Sequence, residues 1–333
     1  MIVVIGASSS IGMYLVDKLI AQRREVFATT RRNINEGYYA RDGVSYAKVD
    51  ITAKSDLERL PKDNIEAVIL LAGLLPANLE QYDPKYYELY ADINFKGTLN
   101  VLEYCRKNKA KKIIFASSHS DVAGLWGCGR AITEDDPRTL VYTSDHTVYI
   151  ITKIAAMDLV EHYHQEYGIQ GVSFRLPAVY SYGPRIGIYV DGKFVVAGFN
   201  VFIERAMAGK PIDIWGNPQK GKDMVYVKDV VSAFIKAVDS NKAHGLYNIA
   251  TGIRTSLQEE VEGIIEVFSP PGHPSKITYS PDKPDGLTYL YDISKAKRDL
   301  GYVVRYPYKK MLEDYKMEMN NKRFEDLFEC KEQ

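Results

Sequence analysis

The sequence is poor in cysteine, has no excess of either charge and contains no long apolar run, and each lack closes off a class of protein. Three cysteines, Cys105, Cys128 and Cys330, are an odd number for a disulfide framework, and none has C-x-x-C or other metal-ligand spacing. The expectation is a reducing, cytoplasmic setting and no metal. Lys plus Arg equals Asp plus Glu at 43 each with no basic run, so the footprint of a nucleic-acid binder is missing. No stretch approaches the roughly 18 consecutive apolar residues of a membrane span. Residues 2 to 5 already read as a buried strand with no basic region before them, so neither a signal peptide nor a membrane anchor is expected. His162 and His164, two apart on a helical stretch, point in different directions and make a poor metal pair; a solvated face suits them better. What remains, 333 residues with 46% hydrophobic positions, is a soluble chain of one large or two modest domains with a small-molecule partner.

The apolar pattern alternates between strand and helix periods. Ile2 to Ile5 is a short apolar run, and Met13 to Gln22 then carries Met13, Leu15, Val16, Leu19 and Ile20 at helical spacing. Strand-like runs follow at Glu25 to Thr29, Ser45 to Val49, Ala67 to Leu71, Lys112 to Ala116 and Gly171 to Leu176. Helical stretches between them include Tyr86 to Lys107 and Val148 to Tyr167. That alternation predicts a doubly wound parallel α/β sheet with helices on both faces. After Pro177, glycine, proline and tyrosine punctuate Ala178 to Gly198, a helix is expected at Phe199 to Ala208, and turn clusters such as Ser269-Pro270-Pro271-Gly272 mark a smaller mixed lobe.

The turn Gly6-Ala7-Ser8-Ser9-Ser10-Ile11-Gly12 sits between the first strand and the first helix. Gly6 permits a sharp turn and Gly12 a close approach, while Ser9 stands where a middle glycine would offer positive φ. Free amides at a helix N-terminus attract a pyrophosphate, and three hydroxyls add hydrogen bonds. Taken alone the motif is equally a plain strand-to-helix turn. About twenty residues on, a dinucleotide site carries an acid for the ribose 2′-hydroxyl or an arginine for a 2′-phosphate. Here the second strand ends Thr29-Thr30-Arg31-Arg32, with two guanidiniums and no carboxylate, which favours NADP over NAD unless the arginines merely decorate a solvated loop.

Tyr149-Ile-Ile-Thr-Lys153 puts a phenol and an ammonium one helical turn apart. A free tyrosine, with a pKa of about 10, is a poor base at neutral pH; a neighbouring lysine and an oxidised nicotinamide would lower that value and suit the pair to proton transfer during hydride transfer. The pair does not stand alone. Asp50-Ile51, Leu71-Ala72-Gly73, Asn94-Phe-Lys-Gly97-Thr98, Phe115-Ala-Ser117-Ser118, Arg175-Leu-Pro-Ala-Val-Tyr-Ser-Tyr-Gly183-Pro184, Lys222-Asp-Met-Val-Tyr-Val-Lys-Asp229 and Tyr247-Asn248-Ile249 follow in order. In that series, from Met1 to about Tyr315, the chain resembles the extended short-chain dehydrogenase/reductase family, of the nucleotide-sugar epimerase/dehydratase type.

The resemblance implies a Rossmann-type dinucleotide-binding domain at 1–177, to which 223–250 return, and a substrate-binding lobe from 178–222 and 251–333. It implies Tyr149 as acid/base and Lys153 as the group that tunes it and holds the nicotinamide ribose. Ser118 would bind the substrate hydroxyl, with Ser117 as its structural neighbour. Gly6, Ser8, Ser9, Ser10, Ile11, Gly12, Arg31, Arg32, Asp50, Ile51, Leu71, Ala72, Gly73, Asn94, Pro177 and Val179 would line the cofactor, and His119, Tyr180, Arg185 and Lys222 the substrate. A homodimer through the Tyr86 to Lys107 and Val148 to Tyr167 helices is a further implication, consistent with the apolar positions Ile151, Ala155, Leu159 and Tyr163.

The chain departs from the pattern at informative places. His119 and Ser120 follow Ser118 where sugar-nucleotide dehydratases carry an Asp-Glu pair, which disfavours dehydration. Ala178 replaces a frequent asparagine, Lys222 a frequent arginine, and Gly286 to Tyr291 brings tyrosines where a second arginine is expected. An ammonium still meets a phosphate but without the bidentate fork. His119 reads either as an extra acid/base or as a loop-orienting group. The sequence thus implies an NAD(P)-dependent epimerase or oxidoreductase of a sugar, nucleotide-linked in most relatives. The alternatives are a dehydrogenase or reductase of a free sugar, sugar acid or lactone, and a non-catalytic dinucleotide-binding scaffold.

Overall fold

The computed structural model describes residues 1–76, 86–143, 146–183, 187–190 and 193–328. Six strands follow the expected runs with ends displaced by one or two residues: β1 (Ile2–Ile5), β2 (Val26–Thr30), β3 (Val44–Lys48), β4 (Ala67–Leu70), β5 (Lys112–Ser118) and β6 (Gln170–Leu176). With the Gly245–Asn248 strand they form one seven-stranded sheet, ordered Gly245–Asn248, β6, β5, β4, β1, β2, β3. Every pairing in it is parallel. β1 and β4 are buried along their whole length, as parallel strands covered on both faces must be.

The period of two divides that burial between two cores. Ile2, Val4, Ala67 and Ile69 face one apolar cluster with helix α1 (Ser10–Ala21) and the helix Val227–Asp239. Val3, Ile5, Val68 and Leu70 face the other, shared with Val101, Leu102, Met157 and Val160. The stretch expected as one helix from Tyr86 to Lys107 is helical throughout but changes winding. Ala91–Lys96 is a π turn between α-helical Tyr86–Tyr90 and Gly97–Lys107, and it aims Asn94 inward.

The strand order reverses between β1 and β4, and a crevice opens there at the carboxyl ends of the strands. Beyond β6 the chain builds short paired strands: Val179–Tyr180 with Val225–Tyr226, Gly221–Asp223 with Arg254–Ser256, and Ile212–Trp215 with Ile277–Ser280. The helix Tyr308–Asn320 is tied back by Lys228, 2.6 Å from Asp314, and by Arg323, which bonds Glu318 at 2.8 Å and Asp17 of α1 at 3.0 Å. Among the described residues no helix is long and apolar enough to cross a membrane.

Candidate active site

The crevice has a volume of about 370 Å³ and is lined by the turn after β1, the ends of β2 and β4, and Asp50 and Ile51. Gly6 has φ +96°, and a Cβ there would lie 2.8 Å from the Ala72 nitrogen. A Cβ on Gly12 would overlap the Gly6 carbonyl oxygen and stand 2.8 Å from Ala7 Cα. Ser9 differs from expectation. It sits at φ −74°, so no positive φ is needed, and its hydroxyl caps α1 by accepting from the Gly12 amide at 3.1 Å. The Ser10 and Ile11 amides have no protein acceptor among the described residues. The Thr29 hydroxyl, at the crevice wall, is buried without a partner. Free first-turn amides, an orphan hydroxyl and a cradle that a Cβ would fill all fit a pyrophosphate-containing dinucleotide.

Arg31 and Arg32 are exposed at the rim, Arg31 lying 4.0 Å from Asp50 Oδ2. The Asp50 Oδ1 accepts from the amide and hydroxyl of Thr52. Asn94 is engaged by the protein itself: its Oδ1 accepts from Leu74 N at 2.7 Å, and its Nδ2 donates to Leu74 O and Thr152 Oγ1. It shapes the Leu71–Leu75 wall, with Oδ1 facing Gly73 at the crevice. Gly73 links that wall to the chemistry, since a Cβ there would stand 3.2 Å from Asn94 Oδ1 and 3.8 Å from Lys153 Nζ.

Tyr149 and Lys153 lie in the helix Thr147–Tyr167, both buried, and Ser118 ends β5. The Ser118 hydroxyl lies close enough to the Tyr149 phenol to favour its ionised form. Lys153 donates to Ala116 O at 2.6 Å and lies 4.0 Å from the centre of the Phe115 ring. Burial pushes the Tyr149 phenol up to about 12 and the Lys153 ammonium down to about 7. The expected lowering of the phenol is therefore absent in the protein alone. A low-dielectric pocket disfavours both charges, and a cation on the ligand side of the crevice would add to what Lys153 gives a phenolate. Ser117 Oγ is buried and unpartnered.

His119 sits in an aromatic cage. Its ring lies 4.7 Å from Trp126, 4.8 Å from Tyr289 and 5.9 Å from Tyr291, and Nδ1 is 3.0 Å from the Tyr291 hydroxyl. That hydroxyl also accepts from Trp126 Nε1 at 3.1 Å, and it donates to His119 in the tautomer whose Nδ1 carries no proton. Burial holds the imidazole down to about 3. These contacts tie the loop after β5 to the Tyr289–Tyr291 segment. Tyr180 packs on Phe199, and Lys222 Nζ lies 5.7 Å from the Tyr180 ring. Pro177 is buried, Val179 pairs with Val225, and Arg185 lies outside the described residues.

The NAD dependent epimerase/dehydratase family matches residues 2–250, three quarters of the chain, including the glycine turn, Ser118, Tyr149 and Lys153. The chain belongs to that family. A putative UDP-glucose 4-epimerase of Methanocaldococcus jannaschii is 28% identical over 78% of this chain and 79% of its own length. The UDP-glucose 4-epimerase of Mycolicibacterium smegmatis is 26% identical over 90% and 92%. In fold, the chain superposes on the UDP-glucose 4-epimerase of Thermotoga maritima, solved with UDP-glucose, with a TM-score of 0.77 and 24% identity, covering 96% of this chain and 99% of that one. The Thermus thermophilus UDP-glucose 4-epimerase, solved with NAD, gives 0.73 and 24% over 94% and 97%.

Membership in the epimerase/dehydratase family accounts for the crevice; several other site residues were not singled out from the sequence. Trp126, Tyr289 and Tyr291 come together around His119 from distant segments, Glu260 meets Lys222, and no local spacing announces these contacts. Beneath them Asp121 and Arg175, both fully buried, pair at 2.8 Å, with Arg175 also donating to Thr133 O and Asn248 Oδ1. Asp121, two residues after His119, and Arg175, at the start of a recognised motif, were both in view; their opposite charges, one just past the end of β5 and one near the end of the neighbouring β6, were the available signal.

Proposed function

We propose that this chain is an NAD(P)-dependent epimerase or oxidoreductase of a sugar, with Tyr149, Lys153 and Ser118 as its reacting-end residues. The observation that carries the reading is the junction at Gly73. There the dinucleotide crevice meets Lys153, one helical turn from Tyr149, with Ser118 at the end of β5. Gly6, Gly12 and the α1 amides would hold the pyrophosphate, and the bound dinucleotide supplies the hydride acceptor. Tyr149 takes the proton from a substrate hydroxyl, Ser118 orients that hydroxyl, and Lys153 contacts the ribose and favours the phenolate. An epimerase returns the hydride to the opposite face; a dehydrogenase releases the reduced carrier. A nucleotide-linked sugar is the first candidate, because the similar proteins are named for UDP-sugars. A free sugar, sugar acid or lactone is the second, favoured by the pairing of Lys222 with Glu260.

Tyr149→Phe should lower turnover by about 10²–10⁴-fold, the usual range for a lost general acid/base, while leaving dinucleotide affinity within about threefold. Steady-state rates on a panel of sugars and UDP-sugars check this, and a variant keeping most of the wild-type rate would overturn the assignment. Arg31 and Arg32 support NADP over NAD, against a family that takes its name from NAD. Calorimetric titration of both, with loss of the preference in Arg31→Ala, is the measurement; tighter NAD binding by the unaltered protein would sink the preference. Leu89, Phe95, Ile151 and Tyr167 are exposed on the two helices expected to form a dimer interface, which supports a homodimer. Light scattering that finds only a 37.7 kDa species at micromolar concentration would count against it.

A further inference from the structure

Glu260 is a carboxylate where a helix normally places an apolar side chain. It lies in the first turn of the helix Leu257–Phe268, faces inward and is 3% exposed. Its position is fixed from both ends. Ser256 and Glu259 close a reciprocal cap beside it, and the Tyr308 hydroxyl donates to the Glu260 carbonyl at 2.6 Å. Among the described residues the cation paired with it is Lys222, with Nζ 3.5 Å from Oε2 and the lysine side chain 28% exposed. Lys222 is held in register by Thr255 on one side and bridges Tyr289 on the other. Tyr289 touches His119, the neighbour of Ser118. The pair therefore stands two side chains from the reacting end, on the wall formed by Tyr180 and Tyr289.

We propose that Lys222 and Glu260 form one charge-compensated subsite that receives a neutral, hydroxyl-bearing part of the substrate and gives a phosphate or diphosphate no advantage. A buried carboxylate has to be paired, and the lysine that pairs it cannot also present a free positive charge to an anion. A sugar hydroxyl meets the accessible ammonium as a neutral acceptor and feels no repulsion from the carboxylate behind it. A diphosphate meets the same ammonium with a like charge held behind it, and such a juxtaposition rejects anions. This inference rests on the sugar reading and narrows it toward substrates not held by a diphosphate at this point.

The test is titration of the full-length protein with uridine and with UDP, in the wild type, in Glu260→Gln and in Glu260→Gln combined with Lys222→Met. Wild-type protein should bind UDP less than about tenfold more tightly than uridine, whether both are weak or both measurable. Glu260→Gln frees the ammonium and should tighten UDP binding by at least about fivefold with uridine unchanged, and the double variant should lose that gain. A wild type preferring UDP by tenfold or more, or a folded Glu260→Gln variant gaining less than fivefold, overturns the proposal. Should Glu260→Gln fail to fold, the wild-type comparison decides alone. Failure here leaves turnover on sugars intact, whereas failure of the enzymatic reading would appear as no hydride transfer with any sugar in the panel.

Discussion

The dinucleotide crevice is walled by backbone and small side chains: Gly6 in a left-handed turn, Gly12 against the Gly6 carbonyl, open amides on α1, and the hydroxyls of Ser9 and Thr29. The region beyond Ser118 is built of large side chains from distant segments: His119, Trp126, Tyr289 and Tyr291, with the Asp121–Arg175 and Lys222–Glu260 pairs nearby. A backbone site reads its ligand through amides that any sequence possesses, provided glycine admits the ligand, so few substitutions are tolerated and the pattern persists across a family. A side-chain pocket can be respecified one residue at a time. Family membership therefore identifies the first ligand of this chain, and the second has to be read from the pocket itself.

The largest effect that would sharpen this contrast is expected at Gly12. In Gly12→Ala the new methyl overlaps the Gly6 carbonyl and presses on Ala7, backbone that cannot swing aside. Dinucleotide binding should fall below detection, with a loss of stability of about 4 kcal/mol or more. Calorimetry and urea unfolding check both, and retained binding would mean that the turn is not the pyrophosphate seat. Next comes Asp121→Asn, which leaves the buried Arg175 guanidinium without its anion. Breaking such a pair costs about 3–5 kcal/mol. This variant should lose stability while its dinucleotide affinity stays within about threefold; a selective loss of dinucleotide binding would erase the separation between the two halves of the site.

How far the sequence announced these two halves follows from the same contrast. The crevice was legible because its residues lie in short local motifs: Gly6 to Gly12, Thr29 to Arg32, Asp50-Ile51 and Leu71 to Gly73. Each has a fixed spacing imposed by a strand end and a turn. The sheet was legible for a similar reason, since runs such as Ile2–Ile5 and Ala67–Leu70 are buried on both faces and read as unbroken apolar stretches. The π turn that aims Asn94 at Leu74 was not, because it leaves helical periodicity nearly unchanged. The cage around His119 was not either. It joins positions 119, 126, 289 and 291 through tertiary contacts, and a chain with 25 tyrosines gives no reason to select two of them. Glu260 was hidden by its own helix start, where an acidic residue is ordinary and its burial cannot be seen from spacing.

The smallest expected effect concerns His119 and tests whether the cage is structural. Burial, reinforced by the Arg175 cation, holds its imidazole near 3, whereas in the unfolded chain it titrates near 6.5. Across that window the folded protein binds fewer protons than the unfolded one. This contribution to stability is therefore complete above about pH 6.5 and is lost as the pH falls toward 3. Between pH 7 and pH 5 this side chain alone should remove roughly 2 kcal/mol. His119→Asn keeps an acceptor for the Tyr291 hydroxyl but has nothing to protonate, so it should be modestly less stable than wild type at pH 7 and lose less on acidification. Other titrating groups are common to both proteins and cancel in the difference. Urea unfolding of the two at pH 7 and pH 5 supplies the comparison. Identical losses would show that His119 is solvated and able to charge, and would return it to consideration as an acid/base beside Ser118.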